Sequence, residues 1–129
     1  LSTVGVVKVM DFGIARLLDG AEGDVVDAAG TQGYMTPEQL LGEAVDSRAD
    51  LFAAGALLFE CLTGQRPYHA PNPMALVSLV LAGPAPQACE WNSGVSPTLS
   101  ALLTSLLAAD PANRPATARE VEVALGNMR

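Results

Sequence analysis

The residues of this 129-residue chain whose types and spacing suit them to chemistry gather in one stretch, residues 11–38. It opens with Asp11-Phe12-Gly13 and closes with Gly30-Thr31-Gln32-Gly33-Tyr34-Met35-Thr36-Pro37-Glu38. A carboxylate followed at once by a glycine turn has two uses. It can offer oxygen to a hard cation, or it can cap an ordinary strand-to-turn with its own side chain. The tripeptide alone does not choose between them. Other candidates are weaker. His69, the single histidine, follows Pro67-Tyr68 in a loop with no nucleophile or ligand cluster beside it, which argues against a catalytic role. Cys61 and Cys89 lack a C-x-x-C spacing and read as reduced thiols rather than a disulfide or zinc pair. Trp91 reads as a packing residue.

The elements that must position this stretch follow from patterning. Residues 4–10 are rich in β-branched side chains and predict a short strand that delivers Asp11, with a second strand over residues 14–18. Residues 19–30 are small or acidic, with three glycines and no apolar period, and predict a loop. Everything after it reads as helix. Thr36-Pro37-Glu38-Gln39 has the form of a capping box with proline in the first turn, and Gly42 ends that helix. Ser47-Arg48-Ala49-Asp50 repeats the capping signature before residues 51–62, which are apolar nearly all the way round and predict a buried central helix stopped by Gly64 and Pro67. A short apolar helix is expected over residues 74–81 and a loop over residues 84–94. Ser96-Pro97 opens a helix with a stripe of Leu99, Leu102, Leu103, Leu106 and Leu107, broken by Asp110-Pro111. Thr117-Ala118-Arg119-Glu120 starts a last helix with Val121, Ala124 and Leu125 on one face and Gly126 as its stop. The expected fold class is mainly α with a short N-terminal β pair.

Composition narrows the function. A net charge of -7, from 14 acids against 7 bases, provides no basic face for phosphate backbones or anionic lipid. Nucleic acid is not expected as a partner. The longest apolar runs, residues 51–59 and 74–82, fall short of the roughly 18 to 20 residues that cross a bilayer. With no secretory signal visible either, a cytoplasmic setting is expected. The chain starts at Leu1 rather than methionine, which suggests a longer parent sequence.

About two dozen residues separate Asp11 from Thr36-Pro37-Glu38, as between the metal-binding Asp and the Ala-Pro-Glu signature of protein kinases. Lys8 to Arg16 and Gly30 to Glu38 together resemble the bacterial branch of the eukaryotic-like (Hanks-type) Ser/Thr protein kinases. The likeness runs on through Asp46 to Gly55, similar to the start of the central helix of the kinase C-lobe, and Leu62 to Tyr68, similar to the turn after it. Asp110-Pro111-Ala112-Asn113-Arg114-Pro115 resembles the turn that carries a buried arginine. The resemblance implies an incomplete C-lobe, with an activation segment over residues 11–38 and a helical subdomain over residues 39–129.

The same resemblance assigns roles. Asp11 would hold Mg²⁺ on the phosphates of ATP, aimed by Gly13, with Phe12 packed beneath. Thr31 would brace the catalytic base, and Gly33, Tyr34 and Met35 would shape the pocket beside a Ser/Thr acceptor of a protein substrate. Glu38 and Arg114 would form a buried pair that fixes the end of the segment. Asp50 and Gly55 would be structural, Asp50 both as a helix cap and as an acceptor for the catalytic loop.

Departures matter as much. The Gly-rich loop, the strand lysine with its glutamate, and the catalytic loop with its base are absent from these residues, so the N-lobe and catalytic loop are expected partners and the 129 residues alone are expected to be inert. Thr36 replaces the alanine of Ala-Pro-Glu. Thr31 is the only hydroxyl between Gly13 and Tyr34, while Glu22, Asp24 and Asp27 occupy the loop, which implies a parent enzyme not switched by phosphorylation there. Two rival readings are a non-catalytic kinase remnant that binds other proteins and an unrelated helical bundle; surface exposure of residues 51–62 would favour the latter.

Overall fold

The computed structural model describes Gly5 and residues 32–128. The expected strand pair, apart from Gly5, and the loop over residues 19–30 lie outside the described residues. The described part is helical. A 3-10 turn, Gln32–Tyr34, leads into α1 (Pro37–Leu41), α2 (Arg48–Thr63), α3 (Pro73–Leu81), α4 (Ala88–Trp91) and α5 (Pro97–Leu106); a second 3-10 turn, Pro111–Asn113, precedes α6 (Ala118–Gly126). No strand occurs among the described residues.

Most helix starts are local side-chain chemistry. Thr36 Oγ1 accepts from the Gln39 amide at 3.2 Å and Gln39 Oε1 accepts from the Thr36 amide at 2.9 Å, so both halves of the capping box at α1 are made. Gly42 closes the helix at φ 70°, and Gly64 closes α2 at φ 76°, left-handed positions that glycine adopts without strain. Asn72 and Ser96 cap α3 and α5 through their side-chain oxygens.

Two expectations are corrected. Ser47 does not cap α2: its backbone is already helical (φ -60°, ψ -17°), so its hydroxyl cannot turn back to the free amides. Asp46 takes the task one residue earlier, accepting from the Arg48 amide at 2.8 Å. The Asp50 side chain is exposed and makes no cap. Second, the segment expected to be loop contains α4, four residues long and too short for any periodicity to reveal. It is held from outside: Asn92 Nδ2 donates to Leu62 O at 2.7 Å and the Cys89 amide donates to Ser100 Oγ at 3.2 Å. Helix α6 is only partly covered: Val121 and Ala124 are half-buried, and Leu125 is 39% exposed.

The core lies where α2 crosses α5. Phe52, Ala56 and Phe59 from α2 meet Leu103, Leu106 and Leu107 from the α5 end, with Leu76 and Val80 of α3 completing the cluster. Tyr68 stacks on Phe52 with ring centroids 6.4 Å apart, and Trp91 meets Phe59 edge-on at 5.6 Å. Trp91 therefore packs as expected, although 45% of it remains exposed. Burial pushes the Tyr68 hydroxyl up to about 12, against the pull of Arg114, which keeps it protonated and able to donate to Leu107 O at 3.4 Å. Helix α2 is buried on this face alone. Leu57 is 55% exposed, because α4, α5 and the Gln32–Tyr34 turn leave its side of the helix uncovered among the described residues.

Gly55 sets how closely the two helices approach. A Cβ at this position would stand 2.7 Å from the Leu106 Cβ, an atom fixed by its own helix. Gly55→Ala is expected to lower stability by about 1 to 3 kcal/mol through overpacking, read as a fall in the denaturation midpoint. An unchanged midpoint would contradict the close approach.

Candidate functional site

The best-defined polar centre joins α1, the start of α2 and the turn after α5. The Pro111–Asn113 turn is built by Asp110, whose Oδ1 accepts from the Ala112 amide at 2.8 Å, and it leaves Arg114 extended and pointing inward. Only 4% of Arg114 is exposed. A guanidinium carries five N–H donors, and each finds an acceptor. Nη1 donates to Glu38 Oε1 at 2.6 Å and Nη2 to Glu38 Oε2 at 3.0 Å, a bidentate pair. Nε donates to Ala108 O at 2.8 Å, Nη2 to Ala109 O at 3.0 Å and Nη1 to Arg48 O at 3.4 Å. The guanidinium carbon also lies 5.0 Å from the centroid of the Phe52 ring. Glu38 and Arg114 thus pin the end of the 11–38 stretch to the core. Arg48, which sequence reasoning passed over, strengthens the junction: its Nη1 donates to Pro111 O at 3.0 Å while Asp46 holds its other nitrogens.

Burial pushes the Glu38 carboxyl up, but the hydrogen bond from Arg114, the backbone amide, the Arg114 charge and Thr36 together pull it further down, so it titrates below the usual glutamate value of 4.5. A carboxyl depressed in the folded state contributes stability that is complete above its unfolded value and lost as pH falls through the folded one. The protein is therefore expected to lose stability as pH falls below 4.5, and Glu38→Gln to flatten that acid limb. Denaturation midpoints measured from pH 6 down to about pH 3 check this; parallel curves for the two proteins would contradict it.

A second polar cluster surrounds the segment before α1. The Tyr34 hydroxyl donates to Glu60 Oε2 on α2. That hydrogen bond first, then burial, raise the Tyr34 hydroxyl above its usual 10.0, with Arg66 pulling the other way. Gly33 and Met35 flank Tyr34 and are half-buried. Asp11, Phe12, Gly13 and Thr31 lie outside the described residues, so their geometry relative to Glu38 is not part of this arrangement. Among the described residues no three His, Cys, Asp or Glu side chains come together to hold a metal. Asp50 is exposed in the first turn of α2, His69 is exposed, and the two cysteines are free thiols. No described helix is long and apolar enough to cross a membrane.

Comparison with known proteins decides the family, because the model of the protein kinase domain matches residues 1–123. The chain belongs to the protein kinase domain family. That membership removes the unrelated-bundle reading, and α2 supplies core residues rather than lying on the surface. Three of its kinase relatives are bacterial. The chain is 40% identical over 129 residues to the serine/threonine-protein kinase PknB of Mycolicibacterium smegmatis, covering 97% of this chain and 20% of that protein. It is 39% identical over 129 residues to the probable serine/threonine-protein kinase CE0033 of Corynebacterium efficiens, covering 94% and 19%. Against the probable serine/threonine-protein kinase PknB of Bifidobacterium longum the identity is 38% over 123 residues. The chain spans about a fifth of the length of the curated relatives it matches.

Proposed function

We propose that this chain is the C-lobe portion of a Ser/Thr protein kinase that transfers the γ-phosphate of ATP to protein hydroxyls. In this reading residues 11–38 are the activation segment and residues 39–129 the helical subdomain. One observation carries it: the buried, bidentate Glu38–Arg114 pair, which ties together residues 76 apart. Nothing local in either sequence neighbourhood calls for that contact, whereas a segment that must be held rigid at its end does.

Each side chain then has a task. Asp11 and Gly13 supply the Mg²⁺ ligand and its turn, and Mg²⁺ neutralises charge on the ATP phosphates when bound. Phe12 packs below them. Thr31 braces the base of the catalytic loop, Asp50 accepts from that loop's backbone, and Gly33, Tyr34 and Met35 border the acceptor. Glu38, Arg114 and Gly55 keep these positions fixed. The setting is cytoplasmic and the partners are protein substrates together with the N-lobe and catalytic loop.

The 129 residues alone contain no Gly-rich loop, base or second metal ligand, and by themselves they transfer no phosphate. Autophosphorylation by the purified 129-residue chain would contradict this. For the full-length gene product the expected result is phosphoserine and phosphothreonine in an acceptor protein; phosphotyrosine alone would overturn the acceptor class. Because Glu22, Asp24 and Asp27 stand where a phosphorylated loop residue would act, activity requires no phosphate over residues 14–30. Unchanged activity of the full-length gene product carrying Glu22→Gln, Asp24→Asn and Asp27→Asn would contradict the stand-in role of these acids.

A further inference from the structure

Tyr34 is held from two sides. Its hydroxyl donates to one carboxylate oxygen of Glu60, and the guanidinium carbon of Arg66, from the loop after α2, lies 5.0 Å from the centroid of its ring. Arg66 Nε stands 3.8 Å from the other oxygen of Glu60, so the three side chains close a ring between the Gln32–Tyr34 turn and the end of α2. Gly33 makes room for it. A Cβ there would come within 3.0 Å of Arg66 Nη1 and 3.1 Å of its Cδ, so a larger residue makes the Arg66 side chain give by a few tenths of an ångström. Glu60 is the one carboxylate that faces Arg66 among the described residues.

We propose that Arg66 is a positioning residue for the acceptor pocket: by clamping Gly33 and Tyr34 onto α2 it sets the shape that receives the protein substrate, without touching the groups that handle phosphate. This rests on the reading of Gly33, Tyr34 and Met35 as that pocket. The Arg66 side chain is 32% exposed, which places its cation–π contact toward the modest end of the range for such contacts. Its effect is read in substrate affinity rather than in folding.

The test uses the full-length gene product and compares wild type with Arg66→Ala, Arg66→Met, Arg66→Lys and Gly33→Ala. Loss of the cation is expected to raise KM for the acceptor by about twofold to fivefold, while kcat and the KM for ATP are unchanged. Arg66→Lys is expected to recover most of the loss, because an ammonium can occupy the same ring face. Arg66→Met keeps the bulk and drops the charge, so it is expected to behave like alanine. Gly33→Ala and Arg66→Ala are expected to be non-additive, since both act on the same guanidinium. Amide exchange over residues 32–38 reports the clamp without reference to activity, and Arg66→Ala is expected to speed it by about twofold to fivefold. Faster exchange with an unchanged acceptor KM would show a real clamp on a segment that is not the acceptor pocket, overturning that underlying reading and the proposal with it. Unchanged exchange and unchanged KM would overturn the clamp alone. Wild-type behaviour of Arg66→Met, or parallel loss of kcat and both KM values, would also overturn the proposal.

Discussion

Arg114→Ala is expected to cost about 3 to 5 kcal/mol of stability. The size follows from what is left behind. Removing the guanidinium strands the Glu38 carboxylate, only 6% exposed, with its nearest cation gone, and orphans the carbonyls of Ala108, Ala109 and Arg48. It also empties the space over the Phe52 ring. Arg114→Lys should rescue little. An ammonium has three donors on a flexible stem, against five in a planar fork, and cannot meet both Glu38 oxygens and the carbonyls together. Glu38→Ala leaves a buried arginine charge and should cost a similar amount, so the double variant should cost much less than the sum of the two. Denaturation midpoints of the four proteins measure this directly. A loss below about 1 kcal/mol, the usual worth of an exposed ion pair, would mean that the pair does not anchor the segment.

The second large effect is on turnover. Asp11→Asn is expected to reduce phosphoryl transfer by the full-length gene product by more than about a hundredfold. Residues that only support a metal ligand already cost about 10-fold to 100-fold when changed, and Asp11 is proposed as the ligand itself. The amide is nearly the same size and neutral, and it offers Mg²⁺ a much poorer oxygen. Its effect should spare the fold. Midpoints of Asp11→Asn and wild type should coincide, whereas Arg114→Ala is expected to lose activity because the segment would no longer be held. Equal loss of stability in the two variants would erase the distinction between metal ligand and anchor on which the assignment depends.

How much of this was legible in the sequence depends on the range of each interaction. The Thr36 box, the Asn72 and Ser96 caps and the Gly42 and Gly64 stops are settled within four residues, and of these only the Asn72 cap was not anticipated. The leucine stripe of α5 has a period long enough to read, and its residues face the core. Where two neighbouring residues compete for one task, local pattern was not enough: Asp46 displaced Ser47 as the cap because Arg48 also binds Asp46 through its guanidinium. Helix α4 depends on contacts from Leu62 and Ser100, neither close in sequence. The apolar run of α2 correctly marked a core helix but not which side would be covered, since only contacts decide that. The resemblance pairs Glu38 with Arg114, and the structure adds the acceptors that occupy every donor of the guanidinium. The Arg66 contacts left no sequence signal, because a cation over a ring depends on how two loops meet.

The central claim is that this chain is part of a kinase that phosphorylates protein hydroxyls. The most direct test is transfer of labelled phosphate from Mg²⁺-ATP to an acceptor protein by the full-length gene product, beside its Asp11→Asn variant. The account predicts phosphoserine and phosphothreonine with wild type and near-background labelling with the variant. Equal labelling by both, or none by wild type while the protein is folded, would contradict it.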